Sequence, residues 1–466
     1  MTSSFPAAKL RELIDHPIVD GDGHVIEYRP ALDDYMRREG LKSGIPDLVA
    51  EPQNLKRRRG GWMSPLTLPA QNTRDLATAS FPRLLYSRLD ELGIDFAIIY
   101  PTIGQFLSVH PIDDVRRASC RAENNYLVDA FGAYPDRLCP VAVVPMGSPA
   151  EAIEELDFAV GRGFKTVMIA GHAQRPTPGA PPELIRETGW LDTFGIDSEY
   201  DYDPFWARCE AHGVSLAAHA IGMGFGTRRS PSNYVYNQIG HFASTGEALA
   251  KSLFLGGVPF RFPKLRFAFL EGGAGWATAL YSDLVNRWEK RNKDVLPRYY
   301  RGNIDIDTFS ALLDEYAPQF ARFGDVEAGS GRAMTAFDGR ENDFALCGVE
   351  HAEDIKTLFA DRFYFGCEAD DPTTKLAFDT GFNPFGAELR TIFSSDIGHW
   401  DVADMREVLG EAYELVERGW IDRAQFRDFT FQNAIRLHGS ANPLFFRGSV
   451  VETPAAAVLA AERAAI

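Results

Sequence analysis

Residues 17–27 place two carboxylates and an imidazole at the end of a short apolar run. The run is too short for a helix, so we predict a β-strand, in which residues two apart point to the same side. Asp20, Asp22 and His24 are therefore expected to share one face of that strand. Burying three polar groups together is costly, and a bound cation offsets that cost. The spacing indicates a metal site, with a turn capped by an aspartate as the alternative.

Further polar side chains stand where later apolar runs end. His219, Glu271 and Asp396 each close such a run, and His399 lies three residues beyond Asp396. Each has a simpler interpretation when taken alone: a buried core histidine, a helix-capping glutamate or an N-cap aspartate. Their occurrence at successive run ends favours one shared site for a divalent ion of zinc, iron or manganese type.

Short apolar runs alternate with amphipathic helices along most of the chain. The predicted strands lie at residues 17–27, 94–100, 141–144, 166–170, 214–219, 265–271, 362–366 and 391–396. Such alternation is typical of a parallel sheet covered by helices, and eight units fit an α/β fold of the (β/α)8 TIM-barrel type with long loop insertions. The rival, an open doubly wound sheet, lacks its GxGxxG signature here. In a barrel all the strand ends named above meet at one rim.

The whole chain, 1–466, is predicted to form a single barrel domain. The irregular stretch 294–360 is expected to be an insertion between strands six and seven, and Asp401 is expected to cap the helix after strand eight. A basic run at 56–59 lies in an irregular excursion and is interpreted as a solvated loop, with binding of a substrate carboxylate as the alternative.

Composition excludes several classes of partner and location. The net charge of −17 argues against nucleic acid and anionic membranes. Five scattered cysteines, no apolar leader and no membrane-length run indicate a cytoplasmic protein with buried thiols. Aromatic residues in the long loops indicate either an aromatic or hydrophobic small-molecule substrate or the interface of a homo-oligomer, a dimer or tetramer; they are Trp62, Trp190, Tyr234 and Tyr236.

The chain resembles a known family from about residue 17 to about residue 445. The resemblance rests on Asp-Gly-Asp-Gly-His-Val-Ile-Glu at 20–27, Tyr-Pro-Asp-Arg at 134–137, the segments 205–219 and 262–276, Ser-Asp-Ile-Gly-His at 395–399 and Asn-Ala at 433–434. These motifs together are similar to the amidohydrolase-related branch of the amidohydrolase superfamily. Members of that branch include aminocarboxymuconate-semialdehyde decarboxylase and γ-resorcylate decarboxylase.

The resemblance implies a barrel with one catalytic divalent metal, zinc being expected and manganese or iron the alternatives. Its ligands would be Asp22, His24, His219 and Asp396. The chain departs from the decarboxylases at two positions, because Asp22 stands where they often have His or Glu, and Glu271 stands where they have a His. The absence of a lysine at the end of strand four argues against a dinuclear site on a carbamylated lysine.

Three functions follow from these residues. The first is a metal-dependent hydrolase in which a metal-activated water attacks a small aromatic or hydrophobic substrate. There Asp396 would accept the water proton, Glu271 would orient the water or substrate, and His399 would stabilise the oxyanion. The alternative is a non-oxidative decarboxylase of an aromatic or unsaturated acid, with Glu271 or Asp396 protonating the ring carbon. The third is a barrel that only binds a ligand.

Overall fold

In the computed structural model of the protein, eight short parallel strands surround one axis. The structure describes residues 7–42, 44, 72–179, 189–228, 230, 232–323, 339 and 341–465. The strands are β1 (Val19–Val25), β2 (Phe96–Pro101), β3 in two pieces (Leu138–Pro140 and Ala142–Val143), β4 (Thr166–Ile169), β5 (Ser215–Ala218), β6 (Phe267–Phe269), β7 (Phe363–Glu368) and β8 (Arg390–Ser394).

Hydrogen bonds run from each strand to the next and then back to the first. β1 pairs with β2 and β2 with the first piece of β3, while the second piece of β3 begins the series β4 to β8. The barrel closes just beyond β8. There the amide of Asp396 donates to the carbonyl of Asp22 (3.1 Å), and the amide of His24 donates to the carbonyl of Ile397 (2.9 Å). The predicted eight-stranded barrel is therefore confirmed, and every predicted strand has its counterpart.

Helices cover the outside of the barrel, as the alternation of the sequence predicts. In the described chain the α-helices are Ala7–Arg11, Arg29–Arg38, Thr73–Ser80, Pro82–Leu92, Thr102–Leu107, Asp113–Phe131, Pro149–Gly161, Asp203–His212, Tyr234–Gln238, His241–Leu255, Val258–Arg261, Gly275–Arg291, Ile306–Tyr316, Pro318–Ala321, Thr374–Ala377, Val408–Glu417, Arg423–Arg427, Asn433–Ala441 and Glu452–Ala465. A two-stranded antiparallel hairpin joins Ala173–Arg175 to Trp190–Asp192. None of these helices is long and apolar enough to cross a bilayer.

Two details differ from the sequence-based expectations. Asp401 caps no helix, because the helix it was expected to begin starts only at Val408, after Glu407. β6 stops at Phe269, so Glu271 lies two residues past the strand rather than closing it. The five cysteines are buried and unpaired, as expected.

Some predictions reach beyond the described residues. The basic run 56–59 and Trp62 lie outside them, as does part of the expected insertion at 294–360. Between β6 and β7 the described part contains the helices Ile306–Tyr316 and Pro318–Ala321. The insertion remains a prediction.

Candidate metal centre and active site

The carboxyl ends of four strands bring six polar side chains to one point on the barrel rim. β1 carries two of them, and the others follow β5, β6 and β8. All of these side chains are nearly inaccessible to solvent, from 0 to 9% exposed. They are Asp22, His24, His219, Glu271, Asp396 and His399.

Two imidazoles face each other at the centre of the cluster. His24 Nε2 and His219 Nε2 are 3.2 Å apart. His24 Nε2 lies 3.4 Å from an oxygen of Asp22 and 3.4 Å from an oxygen of Asp396, and His219 Nε2 lies 3.9 Å from the same Asp22 oxygen. Of the four residues expected to hold a metal, His24 therefore contacts the other three, and Asp22 also lies near His219.

Glu271 and His399 form the other half of the cluster. One Glu271 oxygen is 3.2 Å from His219 Nε2, and the other is 3.2 Å from His399 Nδ1. His399 Nδ1 is also 2.5 Å from Asp396 Oδ1. His399 thus links the two carboxylates of the predicted catalytic set, of which Asp396 is also an expected metal ligand.

The chemistry of the donor atoms fits a divalent cation. Both oxygens of Asp22 and Oδ2 of Asp396 are buried and form no hydrogen bond with the described residues. Ligand atoms that bind one zinc ion at about 2.0–2.2 Å lie about 3.0–3.5 Å apart, which matches the spacing of the imidazole and carboxylate atoms above. Two groups of ligand atoms lie close enough to share an ion: one from Asp22, His24 and His219, and one from His24, Glu271, Asp396 and His399. His24 belongs to both groups, and Asp396 joins the second rather than the first.

Electrostatics lead to the same conclusion. Burial lowers the pKa of His219 to about 4, and burial, followed by the neighbouring imidazoles, holds the pKa of His24 well below its ordinary value. Both rings are therefore neutral and free to ligate a metal. Burial and the charge of Glu271 raise the pKa of Asp22 and Asp396 well above the ordinary range. Carboxylates that repel one another so strongly are stabilised by a cation between them.

Glu271 is the carboxylate most stabilised as an anion. Burial raises its pKa, but the imidazoles of His219 and His399 outweigh burial and hold the pKa well below its usual value. Glu271 and Asp396 also adopt left-handed backbone conformations, with φ of 54° and 49°. Such strain in residues other than glycine is typical of functional sites, where the surrounding structure must hold it in place.

Asp20 takes no part in this cluster, contrary to the expectation that it shares a face with Asp22 and His24. The pairing of β1 with β2 shifts register between Asp20 and Gly23. The carboxylate of Asp20 accepts hydrogen bonds from the Ser395 amide (3.0 Å), the Ser395 hydroxyl (2.6 Å) and the Asp22 amide (3.2 Å). Asp20 therefore clamps the seam between β1 and β8 beside the strained Asp396.

Two polar residues of the site were missed from the sequence. Gln105 Nε2 donates to His219 Nε2 over 3.2 Å, and Thr102 Oγ1 lies 3.2 Å from His399 Nε2. Both lie in the short helix after β2, a strand to which the sequence assigned no rim residue. Both residues could have been found from the sequence, because every strand of a barrel ends at the same rim and the residues that follow β2 are therefore candidates for the site.

A cavity opens onto Glu271 and His399. Its walls include the aromatic rings of Phe106, Phe242, Tyr234 and Trp400. The Tyr234 and Trp400 rings meet edge to face, with centroids 5.7 Å apart. Of the loop aromatic residues named from the sequence, Tyr234 lines this cavity, whereas Tyr236 is 57% exposed.

Comparison with known proteins places the fold and the family. One solved structure of the same fold is an amidohydrolase from Mycobacterium avium subsp. paratuberculosis K-10, with TM-score 0.54, 17% identity and coverage of 91% of this chain and 98% of that one. A 2,6-dihydroxybenzoate decarboxylase from Rhizobium matches with TM-score 0.50 and 16% identity, over 91% of this chain and 98% of that chain.

A third match is a dihydroxybenzoic acid decarboxylase from Polaromonas sp. JS666 with bound manganese and the inhibitor 2-nitroresorcinol. Its TM-score is 0.51 and its identity 14%, over 91% of this chain and 97% of that one. The family model described as amidohydrolase matches residues 67–304, just over half of the chain. With the barrel and its rim of buried imidazoles and carboxylates, this match shows that the chain belongs to the amidohydrolase family.

Proposed function

We propose that this protein is a metal-dependent carboxy-lyase that removes CO2 from a small aromatic acid. The observation that carries the proposal is the aromatic-walled cavity that opens directly onto Glu271 and His399, beside the metal-binding cluster. A flat aromatic ring stacks well between such walls, and its carboxylate would then point at the cluster.

The comparisons support decarboxylation ahead of hydrolysis. Two of the solved structures with this fold are decarboxylases of dihydroxybenzoic acids, and one of them holds manganese. This reverses the order of the two functions expected from the sequence. The departure at Asp22 changes the charge around the metal, and the departure at Glu271 changes which group would supply the proton; neither removes the need for a proton.

Asp22, His24, His219 and Asp396 would hold the divalent ion. When bound, the ion supplies positive charge that binds the substrate carboxylate and an adjacent oxygen. Zinc is the expected metal, with manganese or iron as alternatives. A homo-oligomer in the cytoplasm remains the expectation for the protein as a whole.

Glu271 and His399 would deliver the proton. In the reaction the bond between the ring carbon and the carboxylate breaks, CO2 leaves, and a proton takes its place on the carbon. Glu271 and His399 both line the cavity, whereas Asp396 does not. Because His399 Nδ1 contacts Glu271 and Asp396, His399 would relay a proton between these carboxylates and the substrate.

A second function, hydrolysis of a neutral ester, amide or lactone, is favoured by one observation. Among the described residues that line the cavity there is no lysine or arginine, while Glu271 and Asp401 are present. This charge favours a neutral substrate over an anion. In hydrolysis Asp396 would accept the proton of the attacking water and pass it to the leaving group.

One experiment separates the two functions. The protein, loaded with zinc or manganese, is incubated in ¹⁸O-labelled water with hydroxybenzoic acids and, separately, with aryl esters, anilides and lactones. The proposal predicts CO2 release from an acid and a product without ¹⁸O. Incorporation of ¹⁸O from a neutral substrate supports hydrolysis instead. No turnover of either class, with metal bound, contradicts both and favours a barrel that only binds its ligand.

A further inference from the structure

The helix Thr102–Leu107 follows β2 and carries two side chains that contact histidines of the site. Thr102 lies against His399 and Gln105 against His219, and both also line the cavity. A helix of six residues is too short to be stable by itself in water. Its position therefore depends on contacts with the rest of the fold.

Glu27 makes the contact that fixes the first turn of this helix. It follows β1 by two residues and is 2% exposed. Its Oε1 accepts hydrogen bonds from the backbone amides of Ile103 (2.8 Å) and Gly104 (3.3 Å). Hydrogen bonds to an ionised acceptor are stronger than neutral ones. Gly104 also packs closely against Val143, because a Cβ at this position would lie 2.8 Å from a methyl of Val143. This close packing further restricts the position of the helix.

Glu123 is the carboxyl that faces Glu27. It is 0% exposed and lies on the long helix Asp113–Phe131. Burial raises the pKa of Glu27 to about 7, and burial with repulsion from Glu27 raises the pKa of Glu123 well above its usual value. The hydrogen bonds from the Ile103 and Gly104 amides lower the pKa of Glu27, because they favour its ionised form.

We propose that Glu27 is a positioning residue, which acts on catalysis only through the helix Thr102–Leu107 and the two side chains that this helix presents to the site. The inference rests on the proposed function only in treating the aromatic-walled cavity as the active site. Glu27 touches neither the cavity nor the metal-binding cluster in the described structure.

Kinetics of four variants test this coupling. Glu27→Ala leaves two amides without their acceptor and should lower kcat/KM by about tenfold, the equivalent of one hydrogen bond. Glu27→Gln should recover activity to within about threefold, because its amide oxygen accepts from the same amides and its NH2 donates to Glu123. Gln105→Ala should lose a similar factor, and the double variant Glu27→Ala/Gln105→Ala should lose less than the product of the two single losses.

A matched control separates positioning from general destabilisation. Glu155 is also a buried glutamate, 4% exposed, and it bonds to Asn124 and Arg121 rather than to the helix Thr102–Leu107. Glu155→Gln should lower Tm without changing kcat/KM. The inference is overturned if Glu27→Ala behaves like this control, or if the double variant shows the full product of the single losses. It is also overturned if Glu27→Ala raises the Kd for Zn²⁺ more than about threefold, since Glu27 would then act through the metal ligands.

A measurement without substrate distinguishes failure of this inference from failure of the proposed function. In zinc-loaded protein labelled with ¹⁵N-histidine, Thr102→Ala identifies the His399 Nε2 signal by shifting it. Glu27→Ala should shift the same signal and Glu155→Gln should not. A shift in protein that decarboxylates no acid refutes the proposed function and leaves the positioning role intact. The absence of a shift refutes the positioning role.

Discussion

The two ends of the barrel each bury a neutral histidine, and β5 contacts both. Its first residue, Ser215, bonds to His438 Nδ1 (2.7 Å) at the amino end, and His219 follows its last residue at the carboxyl end. Burial lowers the pKa of His438 to about 3 and that of His219 to about 4. A lowered histidine pKa therefore does not by itself separate a structural position from a functional one.

What separates the two ends is the set of groups around each ring. At the amino end Ser215 also bonds to Thr166 Oγ1 (3.0 Å), and burial is the whole cause of the His438 shift. At the carboxyl end the ring of His219 meets His24 and Glu271, each at 3.2 Å, and the charge of Glu271 acts on its pKa. The two ends therefore differ in one respect. At the carboxyl end several lone pairs and negative charges converge on one point, and a bound cation would relieve their repulsion.

Substituting the two histidines should produce the largest contrast. His219→Ala removes an imidazole ligand and should eliminate most of the bound metal, together with activity. His438→Ala should keep the metal and lower only stability, by about 2–3 kcal/mol, because it leaves a cavity and removes one of the two partners of the Ser215 hydroxyl. Elemental analysis and chemical denaturation of both variants check this. Unchanged metal content and surviving activity in His219→Ala would contradict the metal assignment.

Glu271→Gln should have the next largest effect, on turnover and not on metal. An amide of the same shape cannot exchange a proton with His399 or with the substrate, so kcat should fall by at least about a hundredfold, the scale of general acid–base catalysis. Metal content and the far-UV spectrum should match the parent protein.

The alternative for Glu271 is a capping role in the turn that follows it. In that case Glu271→Gln would cost about 1 kcal/mol of stability or less and leave kcat nearly unchanged. Measuring kcat and Tm on this one variant therefore decides between a role in proton delivery and a role in the turn.

The sequence predicted the carboxyl end better than the residues that support it. Apolar strands that end in His or Asp identify the rim directly, because strand period and barrel geometry are both local rules. The role of Asp20 was not predictable, because it depends on a register shift and on Ser395, far along the chain. Gln105 was missed because it lies in a helix that is placed by a tertiary contact with Glu27 and not by its own sequence.

Asp20 and Asp22 allow the same substitution to be compared two residues apart. Asp22→Asn removes a charge whose two oxygens have no donor in the described structure, so it should weaken metal binding at least about tenfold. Asp20→Asn disturbs hydrogen bonds from Ser395 and should lower the free energy of unfolding by about 1–2 kcal/mol. Its metal affinity should change less than that of Asp22→Asn, as measured by zinc titration. A larger loss of zinc affinity in Asp20→Asn than in Asp22→Asn would mean that the contact between β1 and β8, and not Asp22 itself, determines metal binding.

Ser215→Ala should have the smallest effect, and it tests whether the two ends of the barrel are independent. The change removes the hydroxyl that partners His438 and should lower the free energy of unfolding by about 1–2 kcal/mol. Because bound metal stabilises the folded state through the rim alone, the decrement should be the same in the metal-free and zinc-loaded protein. Urea unfolding of parent and variant in both forms gives this difference, and kcat should not change. A decrement that differs by more than about 0.5 kcal/mol between the two forms would show that β5 transmits strain from one end to the other.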